Sequence, residues 1–81
     1  MTPEDRQEAL ERLGLEEGPD GFTLTLSGYQ RASRRARDLR GQGDREAASA
    51  LALDPSDPRR WHFLKCLALD EFSREHRGSS I

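Results

Sequence analysis

His62, Cys66 and Asp70 fall at i, i+4 and i+8, a spacing that sets all three along one side of a helix. Imidazole, thiolate and carboxylate are metal ligands, and a Cys–His pair can also serve as nucleophile and base. A structural zinc site needs four ligands in a tetrahedron. The other histidine, His76, lies further along the same stretch and is badly placed to converge on the same point. Nothing in the sequence supplies an orienting third group or an oxyanion hole for a nucleophile. Cys66 is expected to be an ordinary semi-buried residue, with His62 and Asp70 solvated. Gly41-Gln42-Gly43 has no strand before it and no further glycine or Lys-Ser/Thr after it, so it is not a phosphate loop. An enzymatic activity, a metal site, a cofactor and a small-molecule substrate are therefore not expected.

Charge is the remaining chemistry. Residues 28–45 carry six arginines against Asp38 and Asp44, while residues 1–22 carry seven acids against Arg6 and Arg12. The whole chain nets only −2. Arg31, Arg34, Arg35, Arg37 and Arg40 crowd one segment and are candidates for binding an anionic partner. The alternative pairs them with the acidic first segment, and the small net charge favours that match. Tyr29 is the one aromatic residue among them, so stacking on single-stranded nucleic acid is not expected.

Those residues must be held by a small scaffold. At 81 residues the chain has room for one domain, and it is 33% hydrophobic and 35% charged, so its core is thin. Valine is missing and the single isoleucine is Ile81, which argues against a β-sandwich or barrel. Leu, Ala, Arg and Glu dominate, and these favour helices. The lone Cys66 excludes an internal disulfide framework. Neither a secretory leader nor an apolar run of about 18 residues is recognisable, so a cytoplasmic protein without membrane contact is expected.

Local signals place the elements. Thr2-Pro3-Glu4-Asp5 starts a helix that Gly14 stops, giving an acidic helix over 3–13 and a loop to residue 21. Phe22-Thr23-Leu24-Thr25-Leu26-Ser27 alternates apolar and polar residues. An extended segment is expected there, with Phe22, Leu24 and Leu26 plugging a helical core or pairing with a strand from another chain. Ser27 is expected to cap a helix over 28–40, with Tyr29, Ala32, Ala36 and Leu39 inward. Asp44 caps a third helix over 45–53, and Asp57-Pro58 opens a fourth that runs to His76. A frayed tail over 77–81 closes the chain. The expected fold is all-α: a single domain, a small bundle of about four short helices with an extended segment at 22–27.

The fourth helix holds most of the bulky apolar side chains. Trp61, Leu64, Ala68 and Phe72 share one face, Phe63 and Leu67 flank it, and Leu69 lies opposite them. That arc is wider than the ~100° that suits one-sided packing, so the helix is central, or its second flank binds something. The expected protein-binding residues are Phe22, Leu24, Leu26, Trp61, Phe63 and Leu67.

Two resemblances bear on function. Gln42-Gly43-Asp44, then Leu51-Ala52-Leu53-Asp54-Pro55, then Trp61 and Leu64, resemble a tetratricopeptide-repeat hairpin, in which a Gly-Asp turn follows one helix and Leu-x-Leu-Asp-Pro closes the next. That resemblance implies protein binding. The order of an alternating strand, a helix over 28–40, a glycine turn and a helix over 45–53 resembles ribbon-helix-helix proteins. It implies a DNA-binding homodimer, with Thr23 and Thr25 facing the major groove. The leading expectation is a non-enzymatic interaction module, an adaptor or regulatory subunit, that binds another protein or a second copy of itself through exposed apolar faces. The alternative is a dimeric DNA-binding regulator using residues 22–27 and the arginine helix.

Overall fold

The computed structural model describes residues 2–78. Helix α1 (Pro3–Leu13) follows the local signals: the Thr2 hydroxyl accepts from the Asp5 N–H at 3.1 Å, and Gly14 closes the helix with φ +73°. Leu10 and Leu13 turn inward and are almost fully buried, each contributing about 1.5–3 kcal/mol of hydrophobic stabilisation.

The fold is not all-α. A two-stranded antiparallel hairpin, β1 (Leu15–Gly18) and β2 (Gly21–Leu24), separates α1 from the next helix. Leu15 faces Leu24, Glu16 faces Thr23, Glu17 faces Phe22 and Gly18 faces Gly21, around a two-residue turn at Pro19-Asp20. The partner that the alternating segment needs thus comes from residues 15–18 of the same chain, expected to be part of a loop. Leu15-Glu16-Glu17-Gly18 has little strand propensity of its own, and β2 supplies the ladder that makes it a strand.

The extended segment also ends sooner than its alternation suggests. Thr25, not Ser27, caps α2 (Leu26–Gly41), its hydroxyl accepting from the Gly28 N–H at 3.1 Å. Leu26 therefore opens a helix instead of plugging the core, and it is 67% exposed. Helix α3 (Arg45–Leu51) is capped by Asp44 and ends short of the expected residue 53. Helix α4 (Pro58–Gly78) is the longest element. The Asp57 carboxylate accepts from the Arg59 N–H at 2.9 Å, as an N-cap does. Of the expected tail, residues 79–81 lie outside the described residues, and 77–78 continue α4.

Two small clusters share α4 as their common wall. Leu10, Leu13 and Leu15 meet Ala68, bordered by Phe22, Leu24, Leu69 and Phe72. One turn away, Leu64 meets Ala32 and Ala36 of α2 and Ala47 of α3, bordered by Tyr29, Leu39, Leu51, Phe63 and Leu67. Leu24 borders both, so the hairpin ties the clusters together. Alanines at the second cluster let three helices approach closely.

Candidate functional site

Antiparallel pairing fixes which backbone groups of the hairpin are used. The Thr25 N–H donates to the Gly14 carbonyl at 2.8 Å, so Gly14 and Thr25 form a hydrogen-bonded pair. Alternation along this register then gives Glu16–Thr23 and Gly18–Gly21 as the other bonded pairs. Phe22 and Leu24 fall between them and turn their N–H and C=O groups away from β1. Among the described residues no other strand pairs with that edge.

A groove of about 560 Å3 lies beside this edge, lined by Thr23, Leu24, Ser56, Pro58, Trp61, His62 and Lys65. No β1 residue lines it, so it runs between β2 and the first turns of α4. Leu24, Pro58 and Trp61 give it an apolar stretch. Trp61 is fixed from behind by Tyr29, with ring centroids 4.2 Å apart, and the Tyr29 hydroxyl donates to the Pro55 carbonyl at 2.9 Å. The Arg60 guanidinium donates to the carbonyls of Leu51 and Leu53 at 3.3 and 3.0 Å, joining the end of α3 to the start of α4. The walls of the groove are braced from the side that faces the core.

Charge in the groove is positive. Lys65 is half-buried, and among the described residues it forms no ion pair. Among the described residues no acidic side chain lines the groove. The nearest acids in sequence are engaged: the Ser56 hydroxyl and N–H hold the Asp54 carboxyl below its usual range, and the Arg59 guanidinium and N–H do the same to Asp57.

The expected protein-binding residues divide. Leu24 and Trp61 meet in the groove, while Leu26 stands exposed at the start of α2. Phe22 is turned to the first cluster, with its ring 6.2 Å from that of Phe72. Phe63 and Leu67 are half-buried against the second cluster. Sequence reasoning missed Ser56, Pro58, His62 and Lys65 as partners of Leu24 and Trp61. Only the return of the chain alongside β2, through the 52–57 connection and the start of α4, connects them, and no short-range pattern reports that.

The arginine segment is divided in the same way. Arg31 is taken up by Glu71 of α4, at 2.7 and 3.4 Å, and not by the acidic first helix. Arg12 of α1 likewise reaches Glu75 of α4 at 2.7 Å. Arg34 and Arg35 line a shallow hollow with Arg12, Arg31, Asp38 and Glu71, and Arg34 and Arg37 line another beside Tyr29 and Arg60. Arg40 is exposed near the end of α2.

Cys66 is exposed and not semi-buried, with its sulfur 3.6 Å from His62 Nε2. Asp70 pairs with Arg74 at 2.6 Å. Among the described residues no group of three His, Cys, Asp or Glu side chains is placed to hold a metal ion. Among them, too, no helix is long and apolar enough to cross a membrane. Comparison of the chain with protein-family models, with curated proteins and with solved structures finds no match.

Proposed function

We propose that this chain is a non-enzymatic protein-interaction module whose partner seats in the groove between β2 and α4. The observation that carries the reading is the meeting of Leu24, Pro58 and Trp61 beside a strand edge that no other strand pairs with among the described residues. Apolar side chains with a few polar groups at the rim are what a recognition groove offers, and the bracing of Trp61 by Tyr29 lowers the ordering cost of binding. Catalysis has less to work with, since the residues around the groove include no nucleophile held by a base and an orienting group.

A photo-crosslinking residue at His62, exposed on the rim, tests this in the source cell. A defined protein adduct should form from position 62 and weaken when Leu24→Asp is added to a chain that stays folded. The same residue at Glu46, exposed on α3, should give none. Equal labelling from both positions would remove the reading. The DNA-binding alternative requires a homodimer joined through β2, and it predicts salt-sensitive gel shifts with duplex DNA that Arg34→Glu and Arg37→Glu abolish.

A further inference from the structure

We infer that the free edge of β2 is a strand-addition site, taking an extended segment of another protein with alternate apolar side chains and an acidic residue facing Lys65. The inference rests on the groove being the interaction site and adds the conformation and charge of the occupant.

The backbone sets the conformation. Phe22 and Leu24 each direct one N–H and one C=O outward, two donors and two acceptors spaced one strand period apart. An added strand satisfies all four, whereas a helix has no free backbone groups to offer them. Strands lie about 4.8 Å apart, so the added chain runs along the floor formed by Pro58 and Trp61. Its alternate side chains then face that floor and the others face solvent beside Thr23.

The side chains set the charge. Among the described residues Lys65 lies on the α4 wall without an ion pair, and no carboxylate of theirs lines the groove to answer it. A basic segment would bring like charge to Lys65, while a segment carrying Asp or Glu there gains a pairing at the rim. A second copy of β2 fits less well, because Gly21-Phe22-Thr23-Leu24 contains no acid, and Phe22 and Leu24 already cover the copy's own cluster.

The test is selection of a displayed library of random nine-residue segments on the full chain, followed by blocked synthetic peptides of the enriched sequences. The expected winners alternate apolar residues and carry Asp or Glu. They slow exchange of the Phe22 and Leu24 amides about tenfold or more, and bind about tenfold more weakly to Lys65→Glu. Methylating the peptide nitrogens that face β2 should abolish binding, and methylating the others should not. Winners rich in Lys or Arg, winners with helical periodicity, or binding that leaves both amides unprotected would overturn strand addition, while leaving the groove as an interaction site. A dimer whose Phe22 and Leu24 amides are protected without peptide would assign the edge to a second copy and overturn it too. A library that yields no binder also overturns it, and the His62 crosslink then decides the broader reading separately.

Discussion

Gly14 and Gly28 meet backbone to backbone. A methyl group on Gly14 would fall inside the Gly28 backbone, and one on Gly28 would fall inside the Gly14 backbone. This contact sets the end of α1 against the start of α2, at the point where the hairpin leaves and returns. Gly14 is held twice, because its φ of +73° is also unfavourable for a residue with a Cβ.

Gly14→Ala and Gly28→Ala should each cost about 3 kcal/mol or more, combining overpacking with lost approach of the helices, and for Gly14 backbone strain as well. Gly41→Ala is the control: no atom lies within 4 Å of an added Cβ, and the residue ends a helix. Its effect should stay within about 0.5 kcal/mol of zero. Urea midpoints of the three variants measure the contrast, and a Gly28→Ala midpoint equal to that of Gly41→Ala would contradict the close approach.

Thr25 locks the same junction by hydrogen bonds. Its hydroxyl donates to the Gly14 carbonyl and accepts from the Gly28 N–H, each at 3.1 Å, while its own N–H donates to Gly14 at 2.8 Å. Thr25→Val keeps the shape and removes both hydroxyl bonds, so it should cost about 1–2 kcal/mol. Thr25→Ser retains the oxygen and should recover most of the loss. Thermal unfolding of the pair checks this, and equal melting of Val and Ser variants would count against the capping role.

Where the controlling signals are local, the chain reads correctly. Thr2, Pro3 and Gly14 delimit α1, and Asp44 and Asp57 mark the starts of α3 and α4. The hairpin is the instructive failure. β1 is Leu-Glu-Glu-Gly, without alternation or β-branching, and becomes a strand only because a two-residue turn lays it on β2. The alternation of residues 22–27 then outruns the strand, because Thr25 is more useful as a cap than as a strand residue, and Leu26 follows it into a helix. Charge sums mislead in a related way. They match the arginine segment to the acidic α1, yet both α1 and α2 send an arginine to α4, at Glu75 and Glu71. A total carries no geometry, and the groove partners of Leu24 were hidden for the same reason.

The α1–α4 pair gives stability a pH dependence of known sign. The hydrogen bond from Arg12 holds the Glu75 carboxyl below its usual range, and Arg6 does the same to Glu17 of β1. A carboxyl depressed in the folded state contributes stability that is present above its unfolded pKa, roughly 4.3, and lost as pH falls through the folded value. Stability should therefore decline on acidification below about pH 4.3, and less steeply in 0.5 M salt, a concentration chosen to screen exposed pairs. Arg12→Gln should raise the Glu75 pKa, seen in its side-chain carboxyl NMR shift, and flatten the decline. Parallel acid profiles for wild type and Arg12→Gln would refute the linkage.

Arg31 and Glu71 join α2 to α4 through two nitrogens, and the pair is only partly exposed. A double-mutant cycle with Arg31→Met and Glu71→Gln should return a coupling of about 0.5–1 kcal/mol, near the upper end for such pairs. Arg40, exposed and without an ion pair among the described residues, should show no measurable coupling with Glu71. A coupling of zero for Arg31 would show that the pair adds nothing to the packing of α2 on α4.

Arg60 decides whether the floor of the groove is rigid. Its guanidinium reaches two carbonyls, Leu51 and Leu53, and lies 6.0 Å from the centre of the Tyr29 ring that supports Trp61. Both bonds come from one guanidinium nitrogen, and a lysine ammonium keeps the charge but loses the flat group set against the Tyr29 ring. Arg60→Lys should therefore cost about 1 kcal/mol and loosen the 52–57 connection, which carries Ser56 to the groove wall. Trp61 is the only tryptophan, so its emission reports the site directly. A red shift and easier acrylamide quenching in Arg60→Lys, with α-helical circular dichroism unchanged, is the expected signature. Unaltered Trp61 emission would show that Tyr29 and Pro58 hold the groove without the arginine bridge.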